Sequence, residues 1–181
     1  MTVQIFILGT AHKFQCGGRD CTAEQAEQFA TELRSACKSY GVRRIAEEMT
    51  AYGRKHYQVG ETVAYKVAQE MTIYHHDIDL SPSARHALAI TDDTVIRASR
   101  ALPVKDAGEK LSNALDDLRN ELRERVWVAR ILRGSPWPVL AVIGADHVQP
   151  FRKLWRKFGI KVEILHEDWE PKSGRHAFSS E

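Results

Sequence analysis

Cysteine is scarce: Cys16, Cys21 and Cys37 are the only three in 181 residues. An odd count without a secretion signal excludes a disulfide framework. No apolar run approaches the roughly 20 residues that a bilayer crossing needs. The amino terminus opens directly on a strand pattern, with no basic stretch before it and no small-residue cleavage site after it. The expected compartment is therefore the cytoplasm, with no membrane partner. Charge of one sign is also lacking. The formal net charge is +2, too small to argue for nucleic acid or an anionic surface. The basic run Arg152, Lys153, Arg156 and Lys157 reads as a solvated helix face. No Gly-x-Ser-x-Gly elbow, Walker loop or dinucleotide glycine loop occurs. Serine-hydrolase, P-loop and Rossmann oxidoreductase readings thus lack their motifs.

What remains is an ordinary globular composition, 43% apolar and 28% charged. The chain is long enough for one domain with a sizeable core and too short for two comfortable ones. Residues 3–8 read as a strand. Thr22-Ala23-Glu24-Gln25 reads as a helix cap, and Gly41 as that helix's stop. Further strands are expected at 42–46, 72–74, 139–143 and 161–165, and helices at 61–70, 111–133 and 149–158. In the long helix the apolar positions are 111, 115, 118, 122, 126, 129 and 132. Residues 82–100 read as two short helices within a lid over 78–110, because a structureless loop of that length is improbable in a small domain. Strands alternating with helices predict an α/β fold: one domain over 1–170, a mostly parallel sheet of about five strands with helices on both faces, and a polar tail at 171–181.

One short motif occurs twice. Gly9-Thr10-Ala11-His12 closes the run 3–8, and Gly144-Ala145-Asp146-His147 closes the run 139–143. Parallel strands would bring both histidines to the carboxyl edge of the sheet, where open α/β sheets place their ligands. Other strand ends supply Glu47 and Glu48, then His75, His76, Asp77 and Asp79, and finally His166, Glu167 and Asp168. Imidazole beside carboxylate suits a first-row divalent ion or an acid/base pair around a water. Strand ends also face water, so a polar residue there means little alone. His56, His86 and His176 read as surface residues and His166 as solvated. One of Glu47 and Glu48 is expected to face the site, with parity left open. On the long helix, Arg123 is placed to meet an anionic substrate or transition state. Trp127 reads as core or cleft lining. Cys16 and Cys21 read as idle thiols.

The ordered set resembles the TraB, TIKI and ChaN-like superfamily, with erythromycin esterases as more distant members. It comprises the two Gly-x-x-His turns, the carboxylate after the second strand and Arg123-Glu124 with Trp127 on a long helix. A group of small bacterial proteins has the same order of motifs. The resemblance implies a sheet fold with a polar site and activities that include metal-dependent peptidases, esterases and a haem-associated iron-uptake protein. It gives His12, Glu47, Glu48, Arg123 and His147 as catalytic candidates, and His12, Glu47 and His147 as ligands of a divalent ion (Mn, Zn, Co or Fe). His75, Asp77, Glu124 and Asp146 become substrate or supporting contacts. The leading expectation is a metal-assisted hydrolase acting on a small molecule or peptide. The alternative is a non-catalytic protein binding haem, iron or a small anion. A third is a partner-binding protein whose polar edge is merely solvated. A homodimer is the default assembly for a soluble oligomer.

Overall fold

The computed structural model describes residues 3–88 and 105–172, with side chains of the long helix described from residue 113. Five strands form one sheet: β1 (Gln4–Thr10), β2 (Arg44–Glu47), β3 (Tyr74–Asp77), β4 (Val139–Gly144) and β5 (Lys161–Trp169). Their order is β3-β2-β4-β1-β5, and every pairing is parallel. The helices are α1 (His12–Cys16), α2 (Ala23–Ser39), α3 (Ala51–His56), α4 (Val63–Glu70), α5 (Pro82–Ala87), α6 (Lys105–Arg133) and α7 (Val148–Lys157). No helix among the described residues is long and apolar enough to cross a membrane.

The continuously apolar runs in β1 and β4 are covered on both faces, as central parallel strands require. Alternation sorts their side chains. Phe6, Leu8, Ile45, Leu140 and Val142 pack with Phe29, Leu33, Ala64 and Val67 of α2 and α4. Ile5, Ile7, Ala46, Ala141 and Ile143 pack with Trp127, Val128 and Ile131 of α6 and Phe151 and Trp155 of α7. Each strand residue therefore belongs to an α2/α4 face or an α6/α7 face, with a period of two.

Local signals account for the helix starts. Thr22 accepts from the Gln25 N–H, and the Gln25 side chain accepts from the Thr22 N–H, which closes the expected capping box. Thr50, Thr62 and Ser81 cap α3, α4 and α5 by accepting one backbone N–H each, without the reciprocal bond, and Pro82 sits in the first turn of α5.

Several boundaries differ from expectation. The third strand lies at Tyr74–Asp77, so His75, His76 and Asp77 are strand residues rather than loop residues. The last strand runs on to Trp169, and its irregular register against β1 lets it continue through polar residues. Helix α3 occupies part of the polar segment after β2, where the sequence carries no helical apolar spacing. On α6 the inward face is Arg123, Glu124, Trp127, Val128 and Ile131, while Leu118, Leu122 and Leu132 of the expected stripe are exposed. The first of the two short helices expected over 82–100 is present as α5, and the second lies outside the described residues.

Candidate active site

Because β1 pairs with β4, the two glycine turns are neighbours: Gly9 stands opposite Ile143 and Thr10 opposite Gly144. His12 begins α1, and His147 ends a 3-10 turn over Ala145–His147. Close approach, not unusual backbone, explains both glycines. A Cβ on Gly9 would stand 2.0 Å from the Glu167 carbonyl oxygen and 2.4 Å from a Val148 methyl. A Cβ on Gly144 would meet Glu48 Oε2 at 3.2 Å, with His147 and His12 ring atoms at 3.6 and 3.7 Å. Gly144 has φ −60°, which any residue adopts.

The carboxylate between the histidines is Glu48. Its Oε1 lies 3.7 Å from His12 Nε2 and 3.6 Å from His147 Nε2. Its two oxygens are already engaged. Arg123 Nη2 donates to Oε1 at 2.7 Å, and the Gly144 N–H donates to Oε2 at 2.7 Å. Strand parity explains the choice. Glu47 follows Ile45 onto the α2/α4 face, and Glu48, two residues after Ala46, is on the side of α6.

Helix α6 supplies the supporting shell. Glu124 is buried and accepts from His147 Nδ1 at 2.8 Å, which fixes the ring and leaves Nε2 directed toward Glu48. His12 Nδ1 makes a longer contact, 3.4 Å, with Gln15 Oε1. The Trp127 ring meets His147 edge-on at 4.9 Å between centroids, and its Nε1–H donates to Asp79 at 3.0 Å. Asp79 also accepts from Arg123 at 3.1 Å and pairs with Arg85. Burial pushes the Asp79 pKa up, and the Arg123 and Arg85 guanidiniums outweigh it, holding the carboxyl below its ordinary value. Burial alone would lower the Arg123 pKa, and the Glu48 and Asp79 carboxylates reverse that, raising it. Arg123 therefore remains a cation, held between the carboxyl groups of Glu48 and Asp79.

These groups line a cavity of about 490 Å³, within the ordinary range of small-molecule sites. His12, Glu48, Arg123 and His147 form one wall with Asp79. Tyr52 within α3, Tyr57 at its end, and Pro82 and Arg85 on α5 also line it, with Met49 and Leu80. The sequence reading did not single out Arg85, Tyr52 or Tyr57. Their segments carried no strand-end signal, and only the α3 and α5 folds bring them to the sheet edge.

The expected ion site at His12, Glu47 and His147 is not assembled. Glu47 Oε2 instead meets His75 Nε2 at 2.8 Å and accepts from the Thr62 hydroxyl at 2.6 Å. The carboxylate that does stand between the two histidines, Glu48, has Oε1 engaged by Arg123 and Oε2 by the Gly144 N–H. Among the described residues, the group of carboxylates and imidazoles whose ligand atoms all lie within 4.8 Å of one another is Glu47, His75 and Asp77.

His75 and Asp77 therefore do not support the paired histidines. Register places His75 opposite Ile45 and Asp77 opposite Glu47, on the α2/α4 face. His76 stands opposite Ala46, and burial, then the charges of Arg44 and His75, push its pKa down to about 4. Asp146 is exposed and opens onto a different groove, beside Glu124 and Lys153. His166 is half-buried and contacts Glu32 at 3.0 Å. All three cysteines are free, and burial pushes the Cys16 and Cys37 thiols up to about 12.

Compared with known protein families, with curated proteins and with solved structures, the chain has no match.

Proposed function

We propose that this chain is a hydrolase whose attacking water is activated by imidazole at the paired Gly-x-x-His turns. One observation carries the reading. His147 is clamped at Nδ1 by buried Glu124, so its Nε2 faces the cavity beside His12 Nε2 and a carboxylate oxygen common to both. A histidine oriented by a carboxylate at one nitrogen and open at the other is the arrangement of a general base.

In the proposed reaction, a water between the imidazoles attacks an acyl carbon. Its proton passes to His147 Nε2, and Glu124 stabilises the imidazolium that forms. The same proton then passes to the departing oxygen or nitrogen, so the step balances without a co-reactant. Glu48 is the negative pole against which both rings are set, and Arg123 with the Gly144 N–H holds it. Arg85, on the cavity wall, meets negative charge developing on the substrate. Charged groups (Glu48, Asp79, Arg85) and apolar ones (Met49, Leu80, Pro82) both line the cavity, which suits a small substrate with a polar reacting group. No step is routed through a metal ion. The reading keeps the hydrolytic activity that the superfamily resemblance implies.

The test is a panel of small esters, lactones and dipeptides assayed with the purified chain. The expected result is turnover that is lost in His147→Ala and reduced in kcat by Glu124→Gln, with the fold unchanged by circular dichroism. Turnover indifferent to both substitutions would overturn the assignment.

A further inference from the structure

We infer that Glu47, His75 and Asp77 form a second site, separate from the paired turns, that binds one divalent cation of the manganese, iron or zinc type. The first observation is placement. Ligand atoms from the three side chains all lie within 4.8 Å of one another, on adjacent parallel strands in register. The 2.8 Å between His75 Nε2 and Glu47 Oε2 serves a hydrogen bond. It also matches adjacent ligands on one ion, which stand roughly 3 Å apart when the bonds are roughly 2.1 Å and meet at right angles.

The second observation is independent of the first. Glu47 is 0% exposed, yet its Oε1 has no hydrogen-bond partner among the described residues. Asp77 Oδ1 is likewise buried and without one. Buried polar atoms are nearly always satisfied, and a buried carboxylate oxygen with nothing to accept from is costly. Two such oxygens beside one imidazole are acceptors that a cation bound there would satisfy.

The remaining atoms are arranged as the outer contacts of metal ligands are. The Thr62 hydroxyl donates to Glu47 Oε2 at 2.6 Å. Arg54 Nη1 donates to Asp77 Oδ2 at 2.6 Å, leaving Oδ1 free. Tyr65 packs its ring edge-on against His75 at 5.3 Å between centroids. One imidazole with two carboxylates suits first-row divalent ions better than soft, thiolate-seeking ones. A cavity of about 420 Å³ opens beside His75 and Asp77, with Glu61 and Arg54 also on its lining; Glu47 is not among the residues that line it.

The test is equilibrium dialysis of the chelator-treated full chain against Mn(II) and, separately, Zn(II), with melting followed in parallel. The account predicts one ion per chain and a raised Tm at saturation, since binding to the native state stabilises it. Affinity should fall by at least about tenfold in Asp77→Asn and in Glu47→Gln, and Thr62→Val should weaken it less. Asp77 is partly exposed and Glu47 is not, so Asp77→Asn is the variant expected to keep the fold, with circular dichroism as the check. The double variant His12→Ala/His147→Ala should bind as the parent does, whether or not the hydrolase assignment survives. No bound ion in the parent would overturn the inference. Binding that survives both carboxylate substitutions would overturn it too, as would binding lost only in the double histidine variant.

Discussion

Replacing Arg123 by leucine should cost far more than replacing Arg125 by alanine, although the two lie on the same helix turn. The Arg123 side chain is 10% exposed, and its partners Glu48 and Asp79 are 2% and 6% exposed. Leucine retains apolar volume but leaves both buried carboxylates without their shared cation. Glu48 keeps only the Gly144 N–H as a hydrogen-bond donor, and Asp79 keeps Trp127 and Arg85. Breaking a buried pair from one side costs about 3–5 kcal/mol, because the residual charge stays desolvated. A typical domain has about 5–15 kcal/mol in total. For a chain of this size the loss corresponds to a fall in Tm of roughly 6–20 °C. Arg125 pairs with Glu121 at 2.7 Å, but both side chains are about half exposed. Such an exposed i,i+4 pair contributes little, because water and salt screen it. Urea unfolding followed by tryptophan fluorescence measures both, with m-values compared to confirm the same transition. If Arg123→Leu cost no more than Arg125→Ala, the buried charge layer described above would be wrong.

Further outcomes follow from individual residues. Gly9→Ala should destabilise by about 3 kcal/mol or more, since its Cβ would overlap a backbone oxygen of β5. Gly144→Ala meets only side-chain ends at 3.2 Å and beyond, so it should change turnover more than thermal unfolding. Cys37, whose folded pKa is raised to about 12 from 9.0, contributes stability in full below pH 9 that is lost as pH rises toward 12. Cys37→Ala should therefore flatten alkaline unfolding curves over that window. At pH 8 a thiol-alkylating reagent should modify Cys21 first, and Cys16 and Cys37 only on unfolding, as peptide mass mapping would report.

The fold was legible where burial was two-sided. β1 and β4 are unbroken apolar runs, and a strand buried on both faces has no other sequence signature. The capping box at Thr22 and the proline at the start of α5 were legible because they act within one helical turn. The twin turns were legible because each follows such a strand. The choice between Glu47 and Glu48 was not. Parity along β2 is fixed only once α4 and α6 are known to cover opposite faces, and that is a tertiary fact. The same missing fact sent His75 and Asp77 to the wrong partner. Helix α6 misled for a related reason. Its inward face carries Arg123 and Glu124, so the apolar stripe drawn through Leu118, Leu122 and Leu132 points away from the sheet. A helix that delivers charged groups to a site breaks the apolar-inward rule at those positions.

The most direct measurement is the rate of hydrolysis of the ester, lactone and dipeptide panel by the parent chain and by His12→Ala/His147→Ala, at matched fold and concentration. The account predicts turnover in the parent and a fall of about 10²–10⁴-fold in the double variant, the range for losing acid–base catalysis. Equal rates in the two proteins would contradict it, because the paired imidazoles would then take no part in the chemistry.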